Sequence, residues 1–229
     1  MATKRTYDDG CAAAHALDLV GERWALLTVR ELMLGPKRFT DLRAGLPGVS
    51  PNVLAQRLRE LEGVGVIRRR KLPPPAASKV YELTEWGKEL EPVLVQLGRW
   101  GARSPSKPYD AALGVDSLIL SFRTMFDSHR ADGLCATYEL RFGEDVFRAV
   151  VDEGSLEVVR GSADRPDAII EADSNTLAGL VYGGGSLAEA LRLGDTKIEG
   201  DESAIKSFLA LFPLPEPAVQ ESVPQVDKS

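Results

Sequence analysis

The chain has 229 residues and a formal net charge of −6, enough length for one large domain or two modest ones. Two cysteines and two histidines give neither a disulfide framework nor a metal cluster by themselves. No apolar run approaches the roughly 20 residues that a membrane-spanning helix requires. The charge is unevenly spread: residues 1–103 hold 17 Lys/Arg against 12 Asp/Glu, and residues 104–229 hold 11 against 22. A basic N-terminal half suits a polyanionic partner, and the acidic half does not. No basic start leads into an apolar segment, so no signal peptide is expected and the protein is read as cytoplasmic.

In chain order, residues 11–20 read as a short helix. Residues 22–34 read as a helix that is apolar almost all round, with Trp24, Leu26, Leu27, Val29, Leu32 and Met33, as expected of a core helix. Phe39, Leu42 and Leu46 then recur at helical spacing until Pro47-Gly48 breaks the pattern. Ser50 is placed to cap the next helix, and Pro51 suits its first position. Leu54, Leu58 and Leu61 form one apolar stripe on this helix. At about 100° per residue, Asn52, Gln56 and Arg59 point away from the stripe and Arg57 lies on its flank. A helix anchored by leucines and presenting Asn, Gln and Arg has the chemistry to read base edges in a major groove.

Gly63 and Gly65 end that helix. Ile67–Leu72 and Lys79–Leu83 read as two strands joined by PPPAAS, a wing. Along the first strand Arg68 and Arg70 share one face, and Arg69 and Lys71 share the other. Only one of these faces can lie against DNA. Arg38, just ahead of the first helix of the pair, is a candidate backbone contact. The DNA-binding set is therefore Arg38, Ser50, Pro51, Asn52, Gln56, Arg57, Arg59, Arg69 and Arg70. Thr84 caps a long final helix on which Trp86, Leu90, Val93, Leu97 and Trp100 are spaced 4, 3, 4 and 3, an apolar seam of coiled-coil type. Pro92 lies within this helix and is expected to kink it.

These motifs carry a resemblance. Cys11 with AAAHALDLVGERWALLTVRELMLGPKRF, the helix pair, and YELTEWGKELEPVLVQLGRWG resemble the HxlR family of bacterial winged-helix regulators over roughly residues 8–103. The matching marks are Cys11, Gly21, Trp24, the GPKRF run, Leu58–Leu61, Tyr81–Thr84, Gly87 and Trp100. The resemblance implies a homodimeric transcription factor with paired recognition helices on double-stranded DNA, its dimer interface including Trp86, Leu90, Val93, Leu97 and Trp100. Some members of the family use a cysteine at the position of Cys11 as a redox sensor. A small buried residue packed against the first helix is the plainer expectation, because a reactive thiolate needs nearby cations or a helix N-terminus. Cys135 is expected to be structural.

SPSKPYD opens a linker, residues 104–114, whose prolines and small polar residues favour neither helix nor sheet. Asp116–Phe126 then reads as a helix. Ala136, Tyr138, Leu140 and Phe142 alternate with Thr137, Glu139 and Arg141, the mark of a half-buried strand. Short strands follow at Val146–Val151, Leu156–Arg160 and Ala168–Ala172, and then two helices. The second opens with Ser186-Leu187-Ala188-Glu189, a capping box, and ends at Gly194. Thr196–Glu199 is a last strand and Ala204–Phe212 a last helix. Residues 214–229 have little apolar surface to bury and are expected to be a disordered tail.

This order, with LVYGGGSLAEALRLGDTKIEGDESAIKSFLALF, resembles the sterol-carrier-protein-like domain over about residues 115–213, on the GGG turn and the Gly194-Asp195 and Gly200-Asp201 pairs. The resemblance implies a sheet covered by helices over an apolar cavity. Leu177, Leu180, Val181, Leu187, Leu191, Phe208 and Phe212 are the residues placed to cover the sheet. Whether they pack directly on it or stand off to leave a cavity is open.

The fold class expected is α+β: a winged helix-turn-helix domain (1–103), a linker (104–114), a sterol-carrier-like domain (115–213) and a tail (214–229). His15 and His129 stand in no ligand-like cluster. No nucleophile triad, paired-carboxylate motif or phosphate cradle stands out, and Gly183-Gly184-Gly185 lies between helices and not after a strand. Catalysis, a cofactor, a metal and a membrane partner are not expected. The function expected is sequence-specific regulation of transcription with a C-terminal ligand-sensing or assembly domain, its partners being DNA, a second copy and an apolar small molecule. The alternative is a carrier of small apolar ligands that uses the winged helix mainly to dimerise.

Overall fold

A computed structural model describes residues 6–73, 78–108 and 111–219. The middle of the expected wing loop (74–77), two linker residues (109–110) and the last ten residues of the expected tail lie outside the described residues. The chain divides into two units, one built from residues 1–94 with 114–119 and 159–161, the other from the remainder.

In the first unit, α1 (Ala12–Val20), α2 (Ala25–Leu32), α3 (Phe39–Gly45) and α4 (Pro51–Gly63) precede a hairpin of β1 (Ile67–Lys71) and β2 (Lys79–Leu83). The local chemistry of α4 is as expected: the Ser50 hydroxyl accepts from the Val53 N–H at 3.3 Å, with Pro51 in the first turn. Leu54, Leu58 and Leu61 are buried against Val29, Leu32, Leu42 and Leu46. Removing one such leucine side chain costs about 2–5 kcal/mol. α2 is shorter than the apolar run suggested, because Trp24 takes a left-handed backbone conformation, φ 77°, and starts the helix only after it. Behind α3, the buried Glu31 accepts from Arg30 at 2.8 Å and Lys37 at 2.6 Å. Gly45 leaves the room this carboxylate needs, since a Cβ there would lie 2.0 Å from a Glu31 carboxylate oxygen.

Thr84 joins hairpin to helix. Its hydroxyl donates to the Gly65 carbonyl at 2.7 Å and accepts from the Gly87 N–H at 3.0 Å. The single long helix expected after Thr84 is two helices, α5 (Glu85–Lys88) and α6 (Glu91–Ala102). Pro92 has no N–H to donate to the preceding turn, so the chain breaks ahead of it and places it in a first turn, where no donor is needed.

The second unit, with the end of β5 (159–160) counted in the first, is built on a sheet of order β5-β4-β3-β6-β7, formed by β3 (Ala136–Phe142), β4 (Asp145–Asp152), β5 (Ser155–Arg160), β6 (Ala168–Ala172) and β7 (Thr196–Gly200). β3 pairs antiparallel with β4 and parallel with β6, and β6 pairs antiparallel with β7. α7 (Val115–Met125), α8 (Ser174–Tyr182), α9 (Leu187–Leu193) and α10 (Glu202–Ala210) complete the fold. The alternation along β3 holds for Ala136, Tyr138, Leu140 and Phe142, all buried. Glu139 departs from it. It is buried too, accepting from Arg141 at 2.7 Å and from the Ala163 N–H at 2.8 Å.

The helices pack directly on the sheet. The rings of Phe122 and Phe212 lie 4.6 Å apart, those of Tyr138 and Phe208 4.8 Å and those of Phe208 and Phe212 5.1 Å, all four residues being buried. Burial lifts the Tyr138 hydroxyl, helped by the charges of Asp167 and Asp201, to a pKa of about 12. Of the residues expected to cover the sheet, Leu177, Phe208 and Phe212 do so, whereas Leu180, Val181, Leu187 and Leu191 are only half-buried. None of the residues of α9 is buried, and Leu193 is exposed. The expected tail begins with described residues that are tied down. The Arg103 carbonyl accepts from the Ala218 N–H at 2.8 Å, and Arg103 Nε donates to the Glu216 carbonyl at 3.1 Å.

Candidate nucleic-acid interface

α4 presents Asn52, Gln56 and Arg59 to solvent on the side opposite its buried leucines. Ser50 and Pro51, at its start, are exposed as well. Asn52 and Arg59 have no hydrogen-bond or ion-pair partner among the described residues, so their polar ends are available to a ligand. Gln56 is partly engaged: its amide donates to Glu60 at 2.9 Å, one turn on.

Arg57 is a correction. Sequence placed it with the base-reading residues, but its side chain is only 11% exposed and pairs with Glu60 and, at 3.4 Å, with Glu22. Lying on the flank of the leucine stripe, it is drawn toward the carboxylate three residues on and toward the turn before α2. These pairs brace α4.

The wing needs a second correction. Arg68 Nε and Arg70 Nε each donate to Glu82 at 2.8 Å, Arg68 from directly across the hairpin and Arg70 from the diagonal position. Burial works to raise the Glu82 carboxyl, but the bonds and charges of Arg68 and Arg70 outweigh it and hold the group below the ordinary glutamate range. Arg70 therefore shares one carboxylate with Arg68, which offsets part of the charge on that face. Arg69 is on the other, stacked over its cross-strand partner Tyr81 with its guanidinium 5.1 Å from the ring centre and 3.4 Å from Glu62. Arg69 and Arg70, put together in the sequence reading, cannot both rest on one DNA surface. Lys71 shares the face of Arg69 and is exposed.

Arg38 is exposed at the start of α3, where its N–H donates to Asp41 at 3.1 Å. Tyr81, Glu60 and Glu82 are the residues that sequence reasoning missed. Glu60 carried a signal in its spacing of three and four from Arg57 and Gln56; Tyr81 and Glu82 carried theirs only in the hairpin register.

Along α5 and α6, Trp86, Val93, Leu97 and Trp100 are exposed, the last by 75%. Leu90 instead packs against the core. Cys11 and Cys135 are both exposed, whereas Cys11 is expected to be a small buried residue. Cys11 sits at the cap of α1, where hydrogen bonds from the Ala14 and Ala13 N–H groups lower its thiol pKa. Cys135 precedes β3, and its hydrogen bond to Asp152 and the charge of that carboxylate raise its thiol pKa. Among the described residues no helix is long and apolar enough to cross a membrane.

Residues 19–108 match the family described as HxlR-like helix-turn-helix, and residues 109–220 match the one described as Alkyl sulfatase C-terminal. The uncharacterized HTH-type transcriptional regulator YvaP of Bacillus subtilis is 40% identical over 85 residues, covering 37% of this chain and 79% of that protein. The regulator YybR of the same organism, also uncharacterized, is 30% identical over 129 residues, 55% of this chain and 86% of its own. A solved structure of the sec-alkyl sulfatase PisA1 shares 22% identity with a TM-score of 0.41, covering 44% of this chain and 17% of the sulfatase.

Proposed function

The chain belongs to the HxlR-like helix-turn-helix family, and from that premise we propose that it is a homodimeric, sequence-specific regulator of transcription in the cytoplasm with a ligand-sensing or assembly domain behind its DNA-binding part. The observation that carries this reading is α4: capped at Ser50, held by three buried leucines, and presenting Asn52, Gln56 and Arg59 outward. Asn and Gln pair bidentately with adenine and Arg with guanine, each good pair discriminating by about 1–3 kcal/mol. Arg38, Arg69 and Lys71 take phosphate contacts, which fix register without carrying base information.

The exposed apolar row Trp86, Val93, Leu97 and Trp100 supports pairing with a second copy. In that dimer the two α4 helices meet successive major grooves, about 34–36 Å apart or a multiple of that. We assign residues 1–103 to DNA binding and dimerisation, 104–114 to the linker, 115–213 to a sterol-carrier-like domain and 214–229 to the tail. The pure carrier alternative is weakened by the buried rings of Phe122, Tyr138, Phe208 and Phe212, which pack against one another between helices and sheet.

Selection of genomic fragments on the full-length protein tests the proposal and returns the operator. Enrichment of one inverted-repeat site, with affinity that falls steeply with salt, is the expected result. Failure to enrich any sequence at low salt would overturn it.

A further inference from the structure

The second unit contains an open cleft of about 590 Å³ between the later turns of α6, the end of α7 and the chain beyond α10. That volume falls within the range of about 300–1,000 Å³ common to small-molecule sites. Met125, Phe126, Leu214 and Pro215 supply apolar walls, and the indole of Trp100 stands exposed at the rim. Arg99 on α6 and Arg103, one residue past its end, line the same cleft.

Both arginines are held by backbone and keep donors in reserve. Arg99 Nε donates to the Thr124 carbonyl at 2.6 Å, with a longer contact of Nη2 to the Phe126 carbonyl at 3.5 Å. Arg103 Nε donates to the Glu216 carbonyl at 3.1 Å. A guanidinium carries five N–H donors, so several remain on each. Neither arginine pairs with a carboxylate among the described residues. Asp127, which also lines the cleft, is taken up by Arg130 at 3.6 Å and by the His129 N–H at 2.9 Å. Two fixed positive charges that pair with no carboxylate among the described residues, set among apolar walls, call for a ligand that is anionic at one end and apolar along its body.

We infer that this cleft binds a carboxylate with an apolar tail, the head forked by Arg99 and Arg103 and the tail laid against Phe126, Leu214 and Trp100. Arg matches a planar carboxylate through two parallel N–H donors, the strongest ordinary hydrogen-bond arrangement. The inference rests on the ligand-sensing reading above, and it moves the site from beneath the helices of the sheet to a cleft on α6. The same helix carries Val93 and Leu97 of the proposed dimer seam, so an occupant that favours one seam arrangement biases the dimer.

Calorimetric titration of the full-length protein, without DNA, with sodium octanoate and in parallel with octan-1-ol tests this. Saturable binding of octanoate at one site per chain, at least about ten-fold tighter than octanol, is the expected result, because charge-assisted bonds to two arginines separate the two probes. Arg103→Gln and Leu214→Ala each weaken octanoate about ten-fold while the far-UV spectrum stays unchanged. Should either variant unfold, the octanoate-to-octanol ratio in the unaltered protein decides. Equal affinity for the two probes, no saturation with octanoate, or unchanged binding in a folded Arg103→Gln protein overturns the inference. Operator binding is measured separately: a protein that binds its operator and not octanoate loses this site and keeps its role as a regulator.

Discussion

Arg57 and Arg59 sit two residues apart on one helix, yet they should fail in different ways when truncated. Arg57→Ala removes two ion pairs, to Glu60 and Glu22, from a side chain that is 89% buried by its neighbours. A surface pair contributes about 0–1 kcal/mol and breaking a fully buried one costs about 3–5 kcal/mol. Glu22 is more than half exposed and Glu60 about one-third exposed, so the loss belongs nearer the lower figure, at about 1–2 kcal/mol. For a domain of this size each kcal/mol moves the midpoint by about 4–8 °C, which predicts a fall of roughly 5–15 °C followed by Trp24 fluorescence. Arg59→Ala removes no partner within the protein and should leave the midpoint within about 1 °C. It should instead weaken binding to the selected operator by about 5- to 150-fold, the equivalent of one base contact, with little effect on random DNA. The reasoning is refuted if Arg57→Ala keeps its melting point and loses operator discrimination as fully as Arg59→Ala does.

Arg69→Ala should weaken binding about equally on all sequences and flatten the log–log salt slope by roughly 0.9, whereas Arg70→Ala should alter the slope less, since Arg70 is tied, with Arg68, to Glu82. The Glu82 carboxyl lies below its ordinary range, so its contribution is complete above the unfolded pKa and is lost as pH falls through the folded one; circular dichroism of the hairpin region and DNA affinity should therefore hold steady from pH 8 to about pH 5. Leu97→Glu should convert a dimer to a monomer by light scattering without lowering the melting point of the chain, because the residue is already 46% exposed. Iodoacetamide at neutral pH should label Cys11 well before Cys135, read by peptide mass spectrometry, because α1's first N–H groups favour one thiolate and Asp152 opposes the other; equal rates would contradict the placement of Cys11 at the helix cap.

What sequence could reveal here depended on the range of the interaction. The leucine stripe of α4, its Ser50 cap and its Pro51 start are set within a turn or two, and all three are found in the structure. The alternation of Ala136, Tyr138, Leu140 and Phe142 is likewise a property of one strand. The ion pairs of Arg57 were less legible: one partner, Glu60, is three residues away, and the other, Glu22, is brought close only by the tertiary fold. For Arg70, strand alternation tells which residues share a face but not which of them meet a carboxylate; that depends on Glu82 standing opposite Arg68 in the register. Apolar count could not decide between a cavity and a solid core, because ring orientation fills the space between Phe122, Tyr138, Phe208 and Phe212. The same limit hid the cleft on α6. Its arginines are remote in sequence from the Thr124 and Glu216 carbonyls that fix them, and a pair of positive charges becomes a site only when such anchors leave the remaining donors free.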